Sequence, residues 1–300
     1  MTPLRVLIKR NCKLFFKDKG MFFTALITPV ILLVLYATFL GNVYRNSFTV
    51  ALPLTAPLSD SLLNGLVGGQ LVSSILAVSC VTVAFCSNML MVQDRANGTL
   101  KDLRISPVRP STLAMGYYLA TLISTLIICL VATGVCLIYL AAIGWYLSPA
   151  DVLLLILDVV LLTLFGTALS SVIGFFLSTQ GQISAVGTVV SAGYGFICGA
   201  YMPISQFSEG LQTVIGFLPG TYGTSLLRNH ALRGVFAAME SRGIPDEAVR
   251  GMQDTVDCHL YLFGNAVPPS AMYLILGGSV AVLIGVYILL NALKAKRHRI

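Results

Sequence analysis

Formal charge falls in islands along this chain, and the stretches between them carry no Lys, Arg, Asp or Glu. Such runs cover residues 20–44, 61–93, 110–150, 159–208 and 258–293. A helix needs about 20 predominantly apolar residues to cross a hydrocarbon core of ~30 Å. The run 159–208 therefore holds the rest of one crossing and a whole second. The pattern predicts six transmembrane helices, over about 21–40, 62–91, 112–143, 151–177, 183–201 and 270–293. Pro29 is expected to kink the first, Ser111 or Thr112 to cap the third, and the polar patch Ser178 to Gln182 to bend the chain between the fourth and fifth. Trp145 and Tyr146 sit where an interfacial aromatic belt belongs. The fold class is all-α integral membrane, with no stretch left for a large soluble domain.

The segments between spans have patterns of their own. In residues 1–19, Arg5, Lys9, Lys13 and Lys17 follow at i+4 while Leu4, Leu7, Ile8 and Phe15 share the other side, which predicts an N-terminal amphipathic helix on the inner leaflet. It leads into a run of full spanning length with no small-residue cleavage site, unlike a signal peptide. In residues 93–111, Thr99 and Asp102 mark the start of a helix, and Pro107 and Pro110 limit it to about two turns. Leu100 and Leu103 would share a face beside Lys101 and Arg104, an apolar knob with a basic collar. A short loop with Pro53 and Pro57 follows the first span. In residues 203–228, Met202-Pro203 and Pro219-Gly220 break the chain into apolar pieces too short to cross, which predicts a re-entrant helical hairpin on the outer side. Residues 229–268 form an outer helical loop. Ala231, Leu232, Val235, Phe236 and Met239 share one face, and a second helix from Pro245 turns Val249, Met252, Val256 and Leu260 inward.

Composition agrees with this reading. Apolar residues make up 56% and charged residues 10%, against roughly 25% charged in soluble domains. Fourteen of the 19 Lys and Arg residues lie in residues 1–20, in the island 93–111 and in the tail Lys294, Lys296, Arg297 and Arg299. An even number of spans places all three on one side, so both termini are expected in the cytosol. The net charge of +7 is thus a topology signal, and its division among short segments excludes a nucleic-acid-binding face. No Gly-Lys dipeptide occurs, which excludes a P-loop in this chain. His230, His259 and His298 lie apart and offer no metal spacing, and no intrachain disulfide is expected, with Cys258 alone facing outside. Within the spans, Gly187, Ser191, Gly195 and Gly199 recur every four residues, a small-residue ridge for helix packing. Asn88 and Asp158 are candidates for a substrate path. Asp158 is the acid inside a predicted span, about 10 Å below Asp151, where pairing with an outer-side arginine is the main expectation.

Six spans, an amphipathic N-terminal helix, the island QDRANGTLKDLRISPVRPS after the second span and FLPGTYGTSLLR after the fifth resemble a type-2 ABC exporter permease over nearly the whole chain. The resemblance implies one permease domain over residues 1–300 in a bacterial inner membrane, with no catalytic residue and no cofactor of its own. ATP and magnesium would sit on a separate ABC ATPase subunit present in two copies, and a second permease, identical or related, would complete the export path. By position, Asp94, Arg95, Gly98, Thr99, Leu100, Leu103, Arg104 and Pro107 match the ATPase-coupling segment, although that segment is often led by Glu where this chain has Asp94. Pro203, Pro219, Tyr222 and Arg228 fall on the re-entrant hairpin. Similar permeases carry drugs, lipids, peptides and glycan chains, and the short loops and modest polarity of this chain favour an amphipathic drug, lipid or peptide-like molecule over a polysaccharide. Two other classes stay open on the residues alone, an ion-coupled secondary transporter and a non-transporting scaffold or immunity protein.

Overall fold

A computed structural model describes residues 2–50, 59–106 and 108–297. Pro53, Pro57 and Pro107 lie outside the described residues. Helix α1 (Pro3–Lys17) is followed by α2 (Lys19–Leu35), which runs through a π-helical turn, Tyr36–Leu40, into α3 (Gly41–Val50). Next come α4 (Asp60–Ala96), α5 (Thr99–Ile105), α6 (Pro110–Ile143), α7 (Pro149–Phe176) and α8 (Gln180–Ile197). The remainder is a 3-10 turn (Ile204–Gln206), α9 (Glu209–Gly216), α10 (Pro219–Ser241), α11 (Asp246–Thr255), a two-stranded hairpin, β1 (Tyr261–Leu262) with β2 (Asn265–Ala266), and α12 (Pro269–Arg297).

Among the described residues, five helices are long and apolar enough to cross a membrane: Lys19–Asn46, Asp60–Ala96, Pro110–Ile143, Pro149–Phe176 and Pro269–Lys294. The expected fifth of six spans, α8, is a helix of 18 residues that is not among them, because Gln, Ser, Thr and Gly dilute its apolar positions. Helix α4 is the axis of the bundle. It has 37 residues, about 55 Å of helix, and α2, α6, α7, α8 and α10 all pack on it. Several of its buried hydroxyls return hydrogen bonds to their own helix, Ser79 to Ile75 O at 2.6 Å and Thr82 to Val78 O at 2.9 Å, which satisfies those groups away from water.

Close approach explains why a helix this large can be surrounded. At Gly166 of α7, a Cβ would lie 2.8 Å from Cys80 O and 2.9 Å from the Val81 Cα of α4. Backbone cannot yield as a side chain can, so Gly166→Leu is expected to cost about 1–3 kcal/mol or more. Thermal unfolding in detergent measures this, and an unchanged midpoint would refute the crossing.

The π turn shapes the first long helix. One extra residue in a turn makes the spacing from Tyr36 to Tyr44 equivalent to seven helical positions, nearly two whole turns. Both rings are buried on one face, stacked 5.6 Å apart at 10°. Gly41 permits the turn, since a Cβ there would meet Tyr36 O at 2.7 Å. Pro29 lies inside α2 without ending it, and the π turn follows seven residues later.

Several local expectations need correction. The N-cap of α5 is Gly98, at φ 84°, and Thr99 is the first helical residue. Arg109 caps α6 ahead of Pro110, so neither Ser111 nor Thr112 does. No boundary exists at residue 228, where α10 runs on unbroken. The hairpin at 261–266 had no expectation at all, and Cys258, just before it, is buried.

Candidate functional site

At one end of the bundle the island meets four long helices. Asp94, near the end of α4, is almost buried and accepts from Arg10 of α1 at 2.8 and 3.4 Å and from the Tyr117 hydroxyl of α6 at 2.6 Å. Burial opposes the Arg10 charge, but the bonds and field of Asp94 and Tyr117 outweigh it and hold the guanidinium above its usual range. Arg95 turns the other way. Its guanidinium donates to Gly174 O at 3.3 Å, to Phe175 O at 2.9 Å and to Leu177 O, capping the last carbonyls of α7, a favourable place for a cation. Two neighbouring residues thus tie α4 to α1, α6 and α7.

Helix α5 lies on this knot with its leucines inward. Leu100 is buried and Leu103 half-buried, packed with Leu7, Met91, Val92, Leu113, Tyr117 and Ile183. The expected apolar knob is therefore a foot planted in the bundle. Ile105, 84% exposed, is the large apolar side chain that α5 presents outward, beside the exposed Lys101 and Asp102. The side chain of Arg104, like Pro107, lies outside the described residues. On α1, Arg5, Lys9, Lys13 and Lys17 are all exposed, while Leu7 and Phe15 are buried in a helix that packs along α6.

At the other end, Arg228 of α10 is fully buried. It donates to Asp257 Oδ2 at 2.8 Å and to Gly199 O at 2.5 Å, and the same carboxylate oxygen accepts from Ile204 N at 2.9 Å. Burial raises Asp257 above the usual carboxylate range, with Arg228 and the Ile204 N–H pulling against it. One ion pair thus joins α10, the end of α8 and the segment after α11. Tyr222 donates to Gly216 O at 2.6 Å, closing the turn at Pro219. Pro203 caps the 3-10 turn.

Along the side of the bundle, a cavity of about 1060 Å³ runs between α2 and α8 from Gln93 and Ser184 to Tyr44, Gln206 and Thr255. Among the described residues, no Lys, Arg, His, Asp or Glu lines it. Gly187 and Ser191 open onto this groove, the space beside Gly195 is filled by the Tyr201 ring of its own chain, and Gly199 lies beyond the helix end. The ridge therefore does not act as one packing seam. Neither Asn88 nor Asp158 lines the groove. Asn88 Nδ2 donates to Ser170 O at 2.5 Å, between α4 and α7.

Residues 2–231 match the family described as ABC-2 type transporter. The chain belongs to the ABC-2 type transporter family. Among curated proteins, none matches the sequence. This ABC-2 protein is accordingly a multi-pass membrane component of an ABC transporter, the part that generally pairs with an ABC ATPase subunit. The match ends inside α10, leaving the rest of that helix, α11, the hairpin and α12 outside it. Asp158 does not pair with an arginine. Its partners are His230 and Tyr273, and the nearby arginine, Arg233, pairs with Asp151. Arg10, Tyr117, Ile105, His230, Asp257 and Tyr273 all carry parts of these sites that the sequence reading missed. Only Arg10 had a local signal, since it stands off the basic stripe of α1 next to the buried Asn11.

Proposed function

We propose that this ABC-2 protein is the membrane half of an ATP-driven exporter that works by alternating access. Two copies of an ABC ATPase, binding ATP and magnesium, dock on the cytosolic face at α5 and the exposed side of α1. A second permease, identical or related, packs across the groove between α2 and α8, and an amphipathic drug, lipid or peptide-like molecule moves outward along it. In this reading α8 is the sixth crossing and both termini face the cytosol of a bacterial inner membrane. Residues 203–218 and the start of α10 form the outer re-entrant hairpin, with α10 rising from near mid-membrane and running on past residue 228.

The observation that carries the reading is the knot at Asp94 and Arg95. A push on α5 reaches α1, α4, α6 and α7 together, which is what conversion of ATPase closure into movement of a bundle requires. The groove, uncharged among the described residues, supports the substrate class, since a charged solute would find no charged partner among them.

Ile105 provides the test. In the permease purified with the ATPase encoded beside it, Ile105→Asp is expected to lower the recovered ATPase by ~10-fold or more, the scale of one interface anchor, with membrane insertion unchanged. Full recovery together with normal export would remove α5 from the docking surface.

A further inference from the structure

Asp158, His230 and Tyr273 come from α7, α10 and α12 and meet in a buried cluster that the coupling knot and the groove do not use. Asp158 is fully buried, and both of its oxygens are engaged. Oδ2 lies 2.5 Å from His230 Nδ1, and Oδ1 accepts from the Tyr273 hydroxyl at 2.5 Å. His230 is 7% exposed, with its ring stacked on Tyr273 at 6.4 Å. Toward the helix ends, Asp151 pairs with the half-exposed Arg233, so the cluster sits about 10 Å in from that surface.

Among the described residues the surroundings are otherwise uncharged. Against this part of α10, helix α4 brings Gly69 to Ala231 and Leu232, and α11 turns Val249 and Met252 inward while Asp246, Glu247 and Arg250 stay exposed. Arg228 is committed to Asp257 on the opposite side of α10, two residues or about 200° around the helix. The titratable groups of the cluster are thus Asp158, His230 and Tyr273, with the Asp151–Arg233 pair beyond them.

We propose that Asp158, His230 and Tyr273 form a proton-binding latch that fastens α10 to α7 and α12 when the cluster takes up one proton. Nδ1 is committed to Asp158, which leaves Nε2 as the ring atom that receives it. Without the added proton, an ionised Asp158 beside a neutral imidazole is a net negative charge in an apolar setting, which is costly to bury. With it, the cluster is a neutral pair. Separated and hydrated, the two groups gain no such advantage from the proton. Linkage then gives the sign: uptake of the proton as the pH falls closes the latch, and its loss as the pH rises frees α10. Since Arg228 also ties α10 to the end of α8, a freed α10 can follow α8, whereas a latched one cannot.

The inference rests on the exporter reading and its topology, so two readouts are taken. In the purified permease–ATPase complex in nanodiscs, imidazole NMR of His230 and the distance between spin labels at the exposed Ala237 and Leu274 are followed from pH ~8 to ~5. In vesicles, export is measured with the cytosolic pH fixed and the outer pH varied over the same range. His230 is expected to titrate, the label distance to narrow toward its latched value with it, and export to fall by several-fold toward acid. His230→Gln, which keeps a donor for Asp158 but takes no proton, is expected to flatten both profiles. A His230→Gln profile identical to the parent's, or an imidazole that does not titrate, would overturn the latch. Titration with the label shift but no ATP-dependent export at any pH would overturn the exporter reading and leave the latch standing.

Discussion

Replacing Arg228 by alanine is expected to be the most destabilising single change in this protein. It leaves the Asp257 carboxylate buried with backbone N–H groups of Ile204 and Ser205 but no cation, and strips Gly199 O of its donor. Breaking a buried pair from one side costs about 3–5 kcal/mol. The loss would be concentrated where α8, α10 and the segment after α11 meet, so the region around α9 and the hairpin should detach first. Thermal unfolding and proteolysis at residues 203–218 and 258–266 measure it. The double variant Arg228→Met with Asp257→Leu is expected to recover much of the loss, because neither charge is then left alone. If the single variant were as stable as the parent, the pair would not hold these segments together.

The second large effect is functional. Asp94→Ala removes the acceptor shared by Arg10 and Tyr117 and unties α1 and α6 from α4, while Arg95 still caps α7. Export should fall by about 10–100-fold, the equivalent of ~1.4–2.8 kcal/mol of coupling, while the partner ATPase keeps hydrolysing ATP. Asp94→Asn retains an acceptor for Tyr117 but not the charge facing Arg10, so an intermediate loss is expected. Export and hydrolysis measured on the same proteoliposomes separate the two. A parallel fall in both would mean lost assembly and not lost coupling.

Much of the frame was legible in the sequence because charge is excluded from long apolar helices, and its gaps mark them. The inward faces of α10 and α11 were legible for the same kind of reason, since Ala231, Leu232, Val235, Phe236 and Met239, and then Val249 and Met252, recur at helical spacing and are all buried. The direction of the α5 leucines was not. Periodicity shows that Leu100 and Leu103 share a face but says nothing about whether that face meets a partner or the protein itself. The same blindness affects the spans, where lipid and core are equally apolar, so Ile127 or Val135, exposed on α6, reads no differently from the buried Leu140. The pairs that define the sites were hidden most deeply. Asp158 finds His230 across 72 residues and Arg10 finds Asp94 across 84. No local pattern announces a partner at that range, and the outer-side arginine expected for Asp158 is not its partner, since the nearby Arg233 pairs with Asp151.

The length of α4 has a consequence for scale. A rod of about 55 Å that touches Leu232 and Val235 near one end and holds Arg10 and Tyr117 at the other is a lever. A tilt of roughly five degrees about one end carries the other through about 5 Å, close to one helical turn. Displacements too small to see at the ATPase contact would therefore arrive at the far end as changes of whole side-chain neighbours, and the seams beside Gly65, Gly69 and Gly166 are where that gearing would slip.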